Sequence, residues 1–169
     1  MDRTLIIGLG NPILTDDGVG VKVAREIERR VNLDAHPDLT ITEASAGGLR
    51  LMEAVLDYQR VVLIDAYYLD PNSTKPGTIH RLTLDDLRGV SPTQHSTSAH
   101  DTSLVTALDA AHKMGYQVPE DFLIYAVEVE NILEFSETPT PAVAAAIPRV
   151  ADLIIDELSL DSKGSRGEE

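Results

Sequence analysis

The sequence predicts a single α/β domain with a mainly parallel sheet of about five strands and helices on both faces. Three observations carry this. The chain has 169 residues, 43% of them hydrophobic, a length that suits one domain burying roughly 70% of its unfolded surface. Aromatic residues are confined to five Tyr and two Phe, with no Trp, so the core must rest on Val, Ile, Leu and Ala, as in parallel strands covered by helices. Short apolar runs also alternate along the chain with stretches of helical spacing, the pattern of repeated strand–helix–strand units.

In order, residues 5–9 are a short apolar run entering the turn Gly10-Asn11-Pro12, a buried first strand. Val19, Val23, Ile27 and Val31 recur every four residues, with charged residues between them, and form one apolar helix stripe. Residues 39–42 alternate as a second strand, Ser45-Ala46-Gly47-Gly48 is a tight turn, and residues 49–58 have helical spacing. Residues 61–64 form a continuous apolar strand expected to stop at Asp65. Residues 78–84 alternate like a half-exposed edge strand. The Ser, Thr and His-rich stretch from about Gly89 to Asp101 is too polar for a core and reads as a long functional loop. A helix marked by Leu104, Val105, Leu108 and Ala111, a strand at 122–129 and a helix at 143–158 containing Pro148 complete the domain. The domain is expected to span 1–160, with 161–169 a polar, mobile tail.

Twenty-eight acidic residues against 14 basic ones leave a net charge of −14. Such a surface repels phosphate backbones and anionic membranes, so neither nucleic acid nor membrane is an expected partner. Without Cys there is no thiolate nucleophile, thiolate metal site or disulfide. No apolar run approaches a membrane span and no signal-peptide pattern opens the chain, so a cytoplasmic monomer is expected.

In sheets of this class, sites form beyond the carboxyl ends of the strands. Three groups are expected there. Asp16 and Asp17 follow the first strand; Asp65 ends the third, where a carboxylate needs a partner or water; His100 precedes a helix. The acidic pair also reads as a cap on the helix that follows, and one acid can cap while the other points across the sheet top. Gly8-Leu9-Gly10 begins like a dinucleotide fingerprint, but Ile13 stands in the third glycine's place and the helix starts too late to meet a pyrophosphate. The remaining histidines, His36, His80, His95 and His112, read as surface residues. Two carboxylates and one imidazole with open positions would suit a divalent metal such as nickel, zinc, iron or manganese.

The chain resembles the maturation endopeptidases of nickel–iron hydrogenases. The resemblance lies in Gly8-Leu9-Gly10-Asn11-Pro12 followed by Asp16-Asp17-Gly18-Val19-Gly20, in Ser45-Ala46-Gly47-Gly48, Leu63-Ile64-Asp65-Ala66, His100-Asp101 and Thr140-Pro141-Ala142-Val143, across residues 4–158. It implies a three-layer α/β/α sandwich of the phosphorylase/hydrolase-like kind. It also implies an enzyme that removes a C-terminal extension from the hydrogenase large-subunit precursor after nickel insertion, the nickel being carried by the substrate and serving as recognition signal. Carried across, Asp17, Asp65 and His100 are the metal-contacting and catalytic residues, with Asn11, Asp16, Gly47 and Asp101 as substrate contacts. Replacing Asp16 is expected to be milder than replacing Asp17. Val127-Glu128-Val129-Glu130 departs from the Ile-Glu-Pro-Glu of many relatives, on the far wall of the cleft.

No thiol, His-Glu-x-x-His or Gly-x-Ser-x-Gly pattern is present, which leaves attack by water. Two chemistries stay open: a substrate-held nickel acting as Lewis acid with Asp17 or Asp65 as base, or a metal-free aspartate pair. Two alternatives stand beside the protease. A peptidyl-tRNA-hydrolase-like esterase shares the opening motif but conflicts with the charge; a non-catalytic protein that binds nickel or the precursor as a checkpoint would use the same three ligands.

Overall fold

A computed structural model of the chain describes residues 2–45, 48–68, 72, 74–88 and 99–164, with backbone only at 48, 49, 88 and 99–103. Five strands, β1 (Thr4–Leu9), β2 (Leu39–Ala44), β3 (Arg60–Tyr68), β4 (Ile79–Thr83) and β5 (Asp121–Val129), form one sheet in the order β2-β1-β3-β5-β4. All pairs are parallel except β4 with β5, which is antiparallel at the edge. The helices are α1 (Val19–Arg30), α2 (Gly48–Val55), α3 (Leu84–Arg88), α4 (Ala99–Lys113) and α5 (Pro141–Glu157).

Strand alternation sends side chains into two cores. Ile6, Val62, Ile64, Leu123 and Val127 pack with Val23 and Ile27 of α1 and with Val150 and Ile154 of α5. Leu5, Ile7, Val61, Leu63, Phe122 and Ile124 pack on the other face with Leu51 of α2 and Leu104 and Leu108 of α4. Because strands buried on both faces need apolar residues at every position, they read as unbroken apolar runs. The stripe Val19, Val23, Ile27 and Val31 is entirely buried.

From β1 the chain steps to β2 on one side, and β3 then forms on the other side of β1. The carboxyl ends of β1 and β3 therefore flank a topological switch point, where open α/β sheets form their crevice. α4 leads into β5, which runs parallel to β3, so α4 runs against the strands and its first turn lies at this carboxyl edge.

Glycines bring α1 down onto the edge. A Cβ on Gly20 would stand 2.2 Å from Ile64 O and 2.5 Å from Leu9 O, and one on Gly8 would stand 2.2 Å from Gly20 O. Gly10 has φ +128° and its Cβ would meet Asp17 O. The Gly8-x-Gly10 pattern that resembles a phosphate-binding fingerprint thus serves contact between backbones.

Among the boundaries that differ from the sequence reading, three change how a residue or segment is read. β3 does not stop at Asp65 but continues to Tyr68, because β5 still pairs with it there, Tyr68 opposite Val129. α4 begins at Ala99, which puts His100 and Asp101 inside the helix rather than in the loop before it. The expected tail at 161–169 starts with paired residues: Asn32 N donates to Asp161 O, Lys163 N donates to Arg30 O, and Ser162 bridges Val31; residues 165–169 lie outside the described residues.

Replacing Gly20 by Ala must push backbone apart, and the expected cost is about 3 kcal/mol. At Gly115 (φ +88°) a Cβ would point into open space, with nothing within 4 Å, so Gly115→Ala should cost only the left-handed strain, about 1 kcal/mol. Urea unfolding of the two variants checks the difference.

Candidate active site at the carboxyl edge

Beyond β1, a turn at Asn11 and Leu14 leads into a 3₁₀ turn, Thr15–Gly18. Thr15 has φ +50°, a conformation that a β-branched residue adopts only under constraint. Two bonds hold it: Thr15 N donates to Ser136 O at 2.9 Å, and Thr15 Oγ1 donates to Glu134 O at 2.6 Å. The neighbours that follow have different surroundings.

Asp16 is fully buried, at 0% exposure. Its carboxylate accepts from the amides of Glu130 (3.2 Å), Asn131 (3.1 Å) and Thr140 (2.8 Å), and from Thr140 Oγ1 at 2.8 Å. Asp16 N donates to Asn131 O. A carboxylate without solvent needs such donors, and here they come from the segment that links β5 to α5, including the N-cap residue of α5, Thr140. Two expectations are corrected. Asp16 is not placed to contact substrate, since its carboxylate is sealed off and its oxygens are occupied. Nor does either acid cap α1, whose N-cap Gly18 has no side-chain cap bond.

Asp17 is half-buried. Its Oδ2 accepts from Asn11 N at 2.8 Å, while Oδ1 makes no hydrogen bond among the described residues. Asn11 itself closes the turn, its Oδ1 accepting from Ile13 N at 3.2 Å. The residue expected to contact substrate thus orients Asp17 through its backbone.

Asp65 is 2% exposed and lies just past the last β1–β3 pair, Gly8 with Ile64. There its Oδ1 accepts from the next amide, Ala66 N, at 2.8 Å. Val61 and Leu63 face the α2–α4 core, so alternation sends Asp65 to that same face, the one on which α4 begins. The backbone of His100 and Asp101 forms that first turn, and their side chains lie outside the described residues, as does Gly47. Asp17, Asp65 and the start of α4 thus share one edge of the sheet. Among the described residues no cluster of three or more His, Asp or Glu that could hold a metal is formed.

A second polar group on the same face has a burial and a partner that the sequence reading did not foresee. Glu128 of β5 is 4% exposed and pairs across from Tyr67 of β3. His80 of β4 places Nε2 3.7 Å from Glu128 Oε2 and its ring 5.2 Å from that of Tyr67. That Nε2 is buried without a hydrogen bond among the described residues, so His80 is not the plain surface residue expected. The available signal was alternation: Glu128 shares a face with Ile124 and Ala126, and an acid in that series is buried. Elsewhere on the rim Arg25 is engaged by Glu43 in a two-bond pair at 2.9 Å, which holds the Glu43 carboxyl below its ordinary range.

Asp16→Ala leaves three amides and a hydroxyl without their acceptor. Its expected cost is about 3 kcal/mol, whereas Asp17→Ala should change stability by about 0.5 kcal/mol or less. Denaturant unfolding of the two neighbours measures the contrast.

Comparison with known proteins gives the site its context. A family model described as hydrogenase maturation protease matches residues 21–157. The chain is 27% identical over 157 residues to the hydrogenase 2 maturation protease of Escherichia coli, covering 92% of this chain and 90% of that protein. It is 27% identical over 161 residues to the hydrogenase expression/formation protein HupD of Bradyrhizobium diazoefficiens, covering 94% and 79%. In fold it is similar to the E. coli hydrogenase maturating endopeptidase HybD, with TM-score 0.76 and 24% identity over 95% of this chain and 96% of that one. With a family model spanning most of its length, from α1 to the end of α5, the chain belongs to the hydrogenase maturation protease family.

Proposed function

We propose that the chain cleaves the C-terminal extension from a nickel–iron hydrogenase large-subunit precursor, using the carboxyl edge as active site and the precursor's nickel as recognition signal. The observation that carries this reading is the divergence of two adjacent acids. Asp16 is consumed by internal bonds, whereas Asp17 keeps one oxygen without a partner among the described residues, at the edge where Asp65 and the first turn of α4 also lie.

Donor chemistry supports the metal part. Two carboxylates and one imidazole are hard and borderline ligands suited to nickel, and three ligands leave positions for the substrate's own. The ion belongs to the substrate; bound there, it supplies Lewis-acid polarisation. The chain's residues do the rest. Asp17, fixed by Asn11 N, accepts the proton of the attacking water. Asp65, 2% exposed with Oδ1 taking the Ala66 amide, offers a second carboxyl at the edge, and His100 completes the grip. Substrate contact by Asp101 and Gly47 belongs to the same reading, as does a monomer working in the cytoplasm. No described helix is long and apolar enough to cross a membrane.

Mass spectrometry of the precursor before and after incubation tests the cleavage. A shortened product is expected with nickel-loaded precursor and none with the nickel-free form. Asp17→Ala, Asp65→Ala and His100→Ala should each give no product, a loss of at least about 100-fold for a group acting on the proton or the charge. Equal cleavage of both precursor forms with chelator present would overturn the nickel reading and favour an aspartate pair.

A further inference from the structure

Two loops at the carboxyl edge expose large apolar side chains beside the site. Leu133 is 85% exposed, Phe135 82% and Ile13 45%. Leu14 bridges Ser136 in parallel register and Ser136 N donates to Ile13 O, so Ile13 and Phe135 stand side by side on the two strands of that bridge. The loops carrying them are held in place. Besides the Asp16 and Thr15 bonds, Asn131 Oδ1 accepts from the amides of Leu133 and Glu134, and Asn131 Nδ2 donates to Glu134 Oε2. A fixed backbone that presents apolar side chains to water saves the ordering cost of binding, and exposed apolar groups gathered in this way mark interaction sites.

We infer that Ile13, Leu133 and Phe135 form the docking surface for the folded body of the protein substrate, on a patch of that partner carrying apolar side chains ringed by Lys and Arg. This rests on the protease reading above. Charge decides the occupant. Residues 10–18 and 130–140 contain Asp16, Asp17, Glu130, Glu134 and Glu137 and no Lys or Arg. Glu130, Glu134 and Glu137 are exposed and flank Leu133 and Phe135 in sequence, and Arg25, whose charge reaches Glu137, is already paired with Glu43. A second copy of this chain would bring the same acidic ring against itself, at a net charge of −14 per copy; a basic rim on the partner meets it with opposite charge. Ile13 lies four residues before Asp17 in the turn that follows β1, with the buried Thr15 and Asp16 between them, so a partner seated on the patch lies next to the turn that carries Asp17.

The test uses the full chain and a nickel-loaded large-subunit precursor from the organism that carries it. Leu133→Ser and Phe135→Ser, both at exposed positions, should raise KM at least tenfold while kcat stays within twofold, the signature of lost binding common to ground and transition states. Ile13→Ser provides a second position on the other loop. Glu130→Lys with Glu137→Lys should raise KM further, and added salt should weaken wild type but not this charge-reversed variant. Wild-type KM in the three serine variants would overturn the docking surface and leave the protease reading standing. Absence of cleavage by the wild type would instead remove the protease reading itself. Wild type sedimenting as a dimer that Phe135→Ser dissociates would assign the face to a second copy and overturn the proposal.

Discussion

A buried carboxylate joins two segments of this chain that no strand connects. Asp16 follows β1, and its four donors lie 114 to 124 residues later, between β5 and α5. Desolvating a carboxylate costs several kcal/mol, and only a full set of donors offsets it. The offset is therefore conditional on geometry: the loop after β5 has to pass over the 3₁₀ turn, and α5 has to start where Thr140 can reach. The strained Thr15, at a cost of roughly 1–3 kcal/mol, is held by the same two segments. Once they are locked, the next residue has little freedom, and Asp17 is delivered to the edge with its Oδ2 pinned by Asn11.

The glycines serve the same end from below. α1 starts so close to β1 and β3 that Gly8 and Gly20 leave no space for a Cβ. This contact sets the height of the 3₁₀ turn above the strand ends, and so the depth of Asp17 relative to Asp65. The pairing of β1 with β3 ends at Gly8 and Ile64, one residue before Asp65, which leaves room at the switch point for α1 and the turn, while the carboxylate of Asp65 takes the amide of Ala66. The edge is a place where backbone pairing ends and side chains take over its hydrogen bonds, which is why polar residues survive there at low exposure.

Much of this was legible from the chain itself. Continuous apolar runs at 5–9, 61–64 and 122–127 have few readings other than strands covered on both faces, and the four-residue recurrence from Val19 to Val31 has the period of one helix face. The end of the first run then points to Asp17, and the polar break after the run at 61–64 to Asp65, without any coordinate. The roles within Asp16-Asp17 were not legible, because adjacency says nothing about which side chain turns inward; that depends on Thr15's unusual φ and on donors more than 100 residues away. The end of β3 was misplaced for a related reason. Polarity at Asp65 suggests a stop, yet β5 goes on pairing through Tyr68, and cross-strand partners are not a local property. His80 and Glu128 escaped for want of the β4–β5 register, which alone brings them together.

One buried acid thus organises the edge at which its neighbour Asp17 lies. Native-state hydrogen exchange on the wild type and Asp16→Asn measures this directly, amide by amide. Glu130, Asn131 and Thr140 should be protected in the wild type and lose protection together in Asp16→Asn, while the amides of Ile6, Val62 and Ile124 in the sheet centre stay slow. Unchanged protection of Glu130, Asn131 and Thr140 in the variant would contradict the organising role of Asp16.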